Sequence, residues 1–383
     1  MAVGDTNRID GGTARIMQFG TSRFLLAHAD YFIARSRAEG HGGDRVVVVQ
    51  GSNRAAGQKK ARAIAEQAAY PVVFRGRREG VDYDEEVMVD ILETALIATQ
   101  DWVEIERRFL TDIDLVISNT GEEGYRVAEG DSPHAMPPQS FPLRLLRLLH
   151  ARFSVGGKGV TILPCELLHA NGHFLHDLVQ GLAAEHYTDP EFTRWLSDQC
   201  SWADTLVDRI VSADLDPLGA VAEPYGLWAI ARQPGLSLPF SHPDVQLVET
   251  LEPYEMRKLH LLNGPHSFLV EWRRMRGEEK TLQFVREAVE HQEHRAPLEQ
   301  MMCDEVVPVL AAKLPREELE KYAATALERF ENPYLDHALD DIAQHHTEKL
   351  RRRLLPVQKA GQSLGIVTPL IDQVLLSAGV GAS

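Results

Sequence analysis

The chain has 383 residues, 44% of them hydrophobic, which is enough for a large core shared between two domains. Its formal net charge of −16 argues against a nucleic-acid partner, because phosphate binding needs clustered Lys and Arg. Three separated cysteines, Cys165, Cys200 and Cys303, form no CxxC pair, so neither a zinc knuckle nor a redox couple is signalled.

The same cysteine usage fits a reducing cytoplasm, the expected location. No apolar run approaches the ~20 residues that cross a bilayer, so no membrane partner is expected. "MAVGDTNRIDGGTAR" (1–15) lacks the apolar centre of a signal peptide and reads as a loose lead-in.

In chain order, "ARIMQFG" (14–20) predicts a buried strand ending in glycine. "SRFLLAHADYFIARSRAEG" (22–40) predicts a helix that stops at Gly40. "DRVVVVQGS" (44–52) is a strand apolar on both faces, as in a parallel sheet covered by helices on both sides. A helix (101–110), a strand running into a glycine-bearing loop (112–124), a helix (141–153) and another buried strand (157–172) follow. This alternation predicts an α/β, Rossmann-like doubly wound domain over residues 1–250. From 251 to 383 every periodic segment is helical in pattern, which predicts an all-α C-terminal domain.

A doubly wound sheet binds ligands beyond the C-terminal ends of its strands. The first such turn is "FGTSRF", where a dinucleotide site wants GxGxxG. Gly20 is present, while Ser22 and Leu25 stand at the other two glycine places. Ser22 is small enough for close approach, and its hydroxyl is a candidate hydrogen-bond donor to a phosphate. The second strand ends in Gln50 where NAD-binding folds place an acid. Asn53 suits a ribose hydroxyl, while Ser52 and Arg54 suit the extra phosphate of NADP. "SNTGEEG" (118–124) is a candidate for the nicotinamide side.

"RKLHLLNGPH" (257–266) places Lys258, Asn263 and His266 in an otherwise apolar stretch. On an α-helix they span an arc of about 140° at ~100° per residue. Spacing alone also allows a surface lysine and two hydrogen-bonded structural groups. Alcohol–ketone interconversion suits them better. A lysine in an apolar pocket can exchange the hydroxyl proton, and an asparagine amide can donate to a developing alkoxide. No metal is then needed. "EHQEH" (290–294) and "DIAQHH" (341–346) match no closed zinc spacing.

These stretches together resemble the mannitol dehydrogenase family of polyol-specific long-chain dehydrogenases. "RKLHLLNGPH" resembles its KxxxxNxxH signature, and "QFGTSRFLLAHADYF" its opening turn. "SNTGEEGY", "PCELLHANG", "TLVDRIV" and "RFENPYLDHALDDIAQHHTEKLRRRLLP" resemble further motifs in the same order. The details look most like the tagaturonate reductase (altronate oxidoreductase) branch. The resemblance implies NAD as cofactor, with NADP not excluded, and a small-molecule sugar acid or polyol as substrate. The favoured pair is D-altronate/D-tagaturonate. Mannitol, arabinitol or mannonate (fructuronate) dehydrogenase is the alternative, and a nucleotide-binding regulatory protein without turnover is a rival of another class.

By position, the resemblance makes Lys258 the general acid/base and Asn171 and Asn263 the carbonyl-polarising amides. His266 and Asp208 would hold substrate hydroxyls, and Lys349 a carboxylate. Apart from the resemblance, an anionic substrate on so acidic a chain needs a local positive site, to which Arg257 or Arg351 would add. Gly20, Ser22, Arg23, Phe24, Gln50, Asn119 and Thr120 would hold the cofactor. The family's second glycine, next asparagine and later arginine are here Ser22, Arg23 and Leu26. A monomer or small homo-oligomer is expected.

Overall fold

Buried β-branched runs build the first layer, and in the computed structural model they lie where the hydropathy pattern puts them. The structure describes residues 15–67 and 69–380, so all of the 1–15 lead-in except Arg15 lies outside them. The chain divides into two units. The first comprises residues 1–73, 86–222 and 226–251, and the second residues 74–85, 223–225 and 252–383.

In chain order the elements begin β1 (Ile16–Phe19), α1 (Arg23–Ala27), α2 (Ala29–Ala38), β2 (Val46–Gln50) and α3 (Ala55–Glu66). Next come β3 (Tyr70–Arg78), β4 (Val81–Val89), β5 (Leu92–Ile97), α4 (Ala98–Thr111) and β6 (Leu115–Ser118). Then follow α5 (Phe141–Ser154), β7 (Thr161–Pro164), α6 (Asn171–His186), α7 (Pro190–Asp198) and β8 (Ser201–Trp202). Six strands form a parallel sheet in the order β5-β2-β1-β6-β7-β8. β1 pairs with β2 on one side (Ile16↔Val46) and β6 on the other (Ile16↔Leu115). The winding therefore reverses between β1 and β6, and the crevice past their C-terminal ends is the switch point of a Rossmann-like fold. On one face, Met17, Phe19, Val47 and Val49 pack with Trp102 of α4 and Leu145 of α5.

β9 (Thr205–Asp208), β10 (Val211–Asp214), β11 (Ala220–Ala222), β12 (Leu227–Ala231) and β13 (Val245–Val248) complete the strands. β12 pairs antiparallel with β9 and parallel with β13. Residues 55–97 carry no prediction of their own; there the chain forms α3, β3, β4 and β5.

The second unit is helical from α8 (Glu252–Arg257) through a π-helical segment, Lys258–Asn263, into α9 (Gly264–Met275). α10 (Val285–Glu290), α11 (Gln292–Gln300), a second π-helical segment (Met301–Val306) and α12 (Val307–Leu310) come next. α13 (Arg316–Phe330), α14 (Leu339–Ile342), α15 (His346–Arg353), α16 (Leu355–Leu364) and α17 (Pro369–Ser377) close it. Phe268, Leu298, Met301, Val306, Leu319 and Phe330 are among its core residues.

Several predicted helices are broken. The helix expected over 22–40 divides at His28 (φ −121°, ψ −82°), whose ring lies between Phe24 and Phe32 with centroids 4.6 and 4.8 Å away. Residues 281–294 divide at His291, where the backbone is extended. α14 and α15 are separated by His345 in the left-handed region (φ 54°).

Candidate active site

The first unit supplies a nucleotide edge. Gly20 follows β1 with φ +125°, and a Cβ there would lie 2.8 Å from the Asn119 carbonyl oxygen. Glycine is thus demanded twice, by conformation and by space. Across the switch point, Asn119 clamps three loops. Its Oδ1 accepts from the Ser22 hydroxyl at 3.0 Å, and its Nδ2 donates to the Cys165 carbonyl at 2.9 Å. Ser22 also caps α1 by accepting from the Leu25 N–H at 3.2 Å. The expectation that the Ser22 hydroxyl bonds a phosphate is corrected here, because its single proton goes to Asn119. Arg23 and Phe24 open α1; Arg23 is exposed, 3.9 Å from Asp214, and Phe24 stacks on His28.

Gln50 also turns inward. It is 5% exposed, accepts from the Thr21 hydroxyl at 2.7 Å, and donates to the carbonyl and hydroxyl of Ser52 at 2.8 and 2.9 Å. A Cβ on Gly57 would lie 2.5 Å from the Gln50 amide, so α3 closes over it. Gln50 therefore ties the glycine turn to the end of β2 and offers no group to a ribose. That corrects its expected role as a direct cofactor contact.

Glu166, which sequence reasoning did not single out, holds the neighbouring loop. Its buried carboxylate accepts from the Ser118 hydroxyl (2.9 Å), the Thr120 N–H (2.8 Å), the Thr120 hydroxyl (3.1 Å) and the Tyr125 hydroxyl (2.9 Å). Burial first, and then the charge of Glu166, push the Tyr125 hydroxyl pKa up, so Tyr125 stays a donor. Thr120 thus faces Glu166 with both its donors.

Asn171 begins α6 and is 1% exposed. Its Nδ2 lies 3.1 Å from the Pro164 carbonyl, 3.0 Å from the Glu166 carbonyl and 3.1 Å from the Thr205 carbonyl. Its Oδ1 accepts from the Thr205 N–H at 2.8 Å. The amide is occupied with main chain, so the expected direct polarisation of a carbonyl by Asn171 is replaced by a positioning role. Asp208 ends β9 and is buried. Its neighbour Arg209 bonds the Ala27 carbonyl and lies over the rings of Tyr31 and Phe32, 5.1 and 4.9 Å from their centroids.

The second unit carries the opening stretch of candidate chemistry. Lys258 and Asn263 begin and end the π-helical segment. In a π turn each N–H donates to the carbonyl five residues earlier, as the Gly264 N–H does to the Leu259 carbonyl. Residues five apart then lie closer to one face than the α-helical arc of about 140° allows. Lys258 and Asn263 are five apart. The Asn263 side-chain amide has no hydrogen bond among the described residues, while its carbonyl accepts from Arg353 at 3.1 Å. Arg353 also donates to the Ser267 hydroxyl at 2.9 Å.

His266 is 5% exposed, on the first turn of α9. Its Nε2 has no partner among the described residues. Burial above all, and then His337, Arg353 and Arg329, hold its pKa well below the usual histidine value. It is a neutral imidazole with an acceptor nitrogen to offer. Lys349, on α15, donates to the Ile342 carbonyl at 2.9 Å, and burial followed by Arg353 lowers its pKa. Arg353, one turn along the same helix, has a pKa lowered to about 10 by burial and Arg352, so it stays charged at neutral pH. Arg353 is thus the cation whose charge acts on Lys349. Arg257 pairs with Glu318 at 3.2 Å and lies over Tyr254. Arg351 is exposed.

Among the described residues, one group has metal-like proximity: Glu278, Glu293 and His294 lie within 4.8 Å of one another. Arg276 sits 3.1 Å from Glu278 and 3.7 Å from Glu293, so a cation already stands beside both carboxylates. In "DIAQHH", His346 bonds the buried Glu271 at 3.0 Å.

Comparison with known proteins gives this arrangement a context. Residues 14–237 match the mannitol dehydrogenase Rossmann domain, and residues 250–380 match the mannitol dehydrogenase C-terminal domain. An altronate oxidoreductase of Cronobacter sakazakii is 34% identical over 94% of this chain and 78% of its own length. One from Bacillus subtilis is 30% identical over 90% and 74%. The chain belongs to the mannitol dehydrogenase family. As such it is an oxidoreductase acting on CH–OH groups. Family structures share its fold. A substrate-free D-sorbitol dehydrogenase superposes with a TM-score of 0.84 at 21% identity, covering 96% of this chain and 80% of that one. A Pseudomonas fluorescens mannitol 2-dehydrogenase in ternary complex with NAD and D-mannitol gives 0.76 at 20%, covering 97% and 79%.

Proposed function

We propose that this mannitol-family protein interconverts a sugar acid and its keto form, with D-altronate/D-tagaturonate favoured, using a nicotinamide dinucleotide. The curated relatives support the sugar-acid pair, and the neighbour bound to NAD supports the cofactor class. The first unit fits such a nucleotide: Gly20 leaves the switch point open where any side chain would collide with Asn119. Bound there, the nicotinamide would supply the hydride acceptor or donor. Gly20, Asn119 and Thr120 border that place.

The observation that carries the proposal is the π turn that brings Lys258 and Asn263 towards one face, one turn before His266. Lys258 takes the hydroxyl proton during oxidation and returns it during reduction. Asn263, whose side-chain amide has no hydrogen bond among the described residues, donates to the oxygen as negative charge develops. His266 accepts from a substrate hydroxyl through Nε2. Asn171 keeps Thr205 and the 164–166 loop in place, and Asp208 is assigned to the substrate hydroxyls. Lys349 and Arg353 offer positive charge to a carboxylate. The proton step needs no metal. The test is turnover of a panel of keto-sugar acids and polyols with NADH and NADPH. Reduction of tagaturonate well above neutral ketoses is expected. A preference for fructose would favour a mannitol dehydrogenase, one for a pentulose an arabinitol dehydrogenase, and one for fructuronate a mannonate dehydrogenase, while absence of turnover with bound nucleotide would favour a regulatory protein.

A further inference from the structure

Arg144, on the first turn of α5, has no part in the chemistry above. It is 5% exposed. Its Nε donates to the Pro138 carbonyl at 2.7 Å. Among the described residues no hydrogen bond or ion pair reaches its two terminal nitrogens. Burial lowers its pKa, and the charge felt in the other direction comes from Asp131. The Asp131 carboxylate is already taken by Ser132, Gln139 and both donors of Ser140, at 2.6–2.9 Å. No carboxylate meets the guanidinium directly among the described residues, and a buried cation without a direct partner is costly and rarely kept idle.

The location of that cation is specific. A Cβ on Gly51 would lie 2.4 Å from Arg144 Nη1, so the guanidinium lies against the chain just past β2. That is where a dinucleotide fold meets the ribose 2′ position, and where an arginine accepts the 2′-phosphate of NADP. The other groups there agree. Gln50 replaces the acid that would repel a phosphate, and it is turned inward. The Ser52 hydroxyl accepts from Gln50 at 2.9 Å, which leaves its proton to donate. Asn53 and Arg54 are exposed. The next residue starts α3, a helix of 12 residues whose N-terminal N–H groups favour an anion.

We propose that Arg144, with Ser52 and Arg54, forms a subsite for the 2′-phosphate of an adenine nucleotide, so that the protein binds NADP(H) about as tightly as NAD(H). The inference rests on the proposed use of a nicotinamide dinucleotide. Arg144 is the buried charge, and Arg54 and the start of α3 close the phosphate from the solvent side.

Calorimetric titration of the full chain tests it without turnover. 2′,5′-ADP and 5′-AMP differ only by the phosphate in question. 2′,5′-ADP should bind at least tenfold more tightly, and NADPH and NADH should bind within tenfold of each other. Arg144→Leu should weaken 2′,5′-ADP and NADPH at least tenfold while changing 5′-AMP and NADH less than threefold. Arg54→Ala, at an exposed position, should weaken the same two ligands severalfold and covers the case in which Arg144→Leu does not fold. Equal binding of 2′,5′-ADP and 5′-AMP, or a hundredfold preference for NADH, overturns this subsite alone. Failure of both dinucleotides to bind overturns the proposed function with it.

Discussion

At the scale of single residues, the fully buried Asp30 makes a sharp case. Burial raises its pKa from 3.8 to about 7, against the opposing hydrogen bonds of Gln18 and Tyr70. Its Oδ2 lies 3.4 Å from the Gln18 amide and 3.3 Å from the Tyr70 hydroxyl, and its Oδ1 has no partner among the described residues. The folded state therefore keeps this carboxyl protonated where the unfolded chain would ionise it. Below pH 4 both states hold the proton and Asp30 costs nothing. Between about pH 4 and 7 the unfolded state gains, by up to about 1.4 kcal/mol per pH unit. Asp30→Asn should raise the melting temperature at pH 7–8 and converge on wild type near pH 4. Thermal scans across that range check it, and a variant less stable at pH 8 would show that the charged form is the one the fold uses. Lys258 is the residue of the proposed proton transfer. Lys258→Ala should lower kcat by ~10²–10⁴-fold, the usual worth of a general acid–base, while cofactor affinity measured by titration holds. Wild-type alcohol oxidation should rise with pH and ketone reduction should fall, and the variant should lose both trends. Because the Arg276 guanidinium already stands beside both Glu278 and Glu293, dialysis against a chelator should leave turnover unchanged.

At the scale of elements, the buried strands were legible because they are apolar on both faces, and β1, β2, β6 and β7 lie within their predicted spans. β3 escaped prediction because only alternate residues are buried, with Tyr70, Val72 and Phe74 inward and a basic run after them. The π turn was not legible either. "RKLHLLNGPH" has helical spacing, and nothing in residue type alone announces an i to i+5 hydrogen bond. For the candidate site, residue types were readable and their bonds were not. Ser22, Gln50 and Asn171 carry groups that suit ligands, yet each spends them on neighbouring loops. Glu166 is the converse, an undistinguished acid in "PCELL" that gathers four donors from the β6 loop. Glu166→Gln would turn one acceptor oxygen into a donor facing other donors. It should destabilise the protein by about 1–3 kcal/mol, the usual cost of leaving buried donors unsatisfied, and weaken nucleotide binding. Urea denaturation and NADH titration measure the two effects. Loss of stability with unchanged nucleotide affinity would detach this loop from the cofactor.

At the scale of the whole molecule, charge sets the problem for an anionic substrate. A formal charge of −16 surrounds a site proposed for a sugar acid. The acidic field repels the substrate at long range and is screened within about 8–10 Å at physiological salt. What attracts the carboxylate must therefore be local, and Lys349 and Arg353 are the positive groups the helical unit offers one turn apart on α15. Arg353 is tied to the Asn263 carbonyl and Ser267 and so belongs to the scaffold. Lys349 spends one donor on Ile342 and keeps two. Lys349→Ala should raise KM for a sugar acid at least tenfold and leave KM for a neutral polyol within about twofold, because only the acid loses a charge partner. Salt adds a second signature. In wild type, the repulsive field and the local attraction are both screened, so KM for the acid should change little from 20 to 150 mM salt. Without Lys349 the local attraction falls to that of Arg353, which is tied to the scaffold, so repulsion outweighs it; added salt should then lower KM for the acid while the neutral polyol stays flat. Steady-state kinetics of both substrates in both proteins over that range decide the matter. Equal losses for acid and polyol would make Lys349 a packing residue of α15 and move the carboxylate elsewhere.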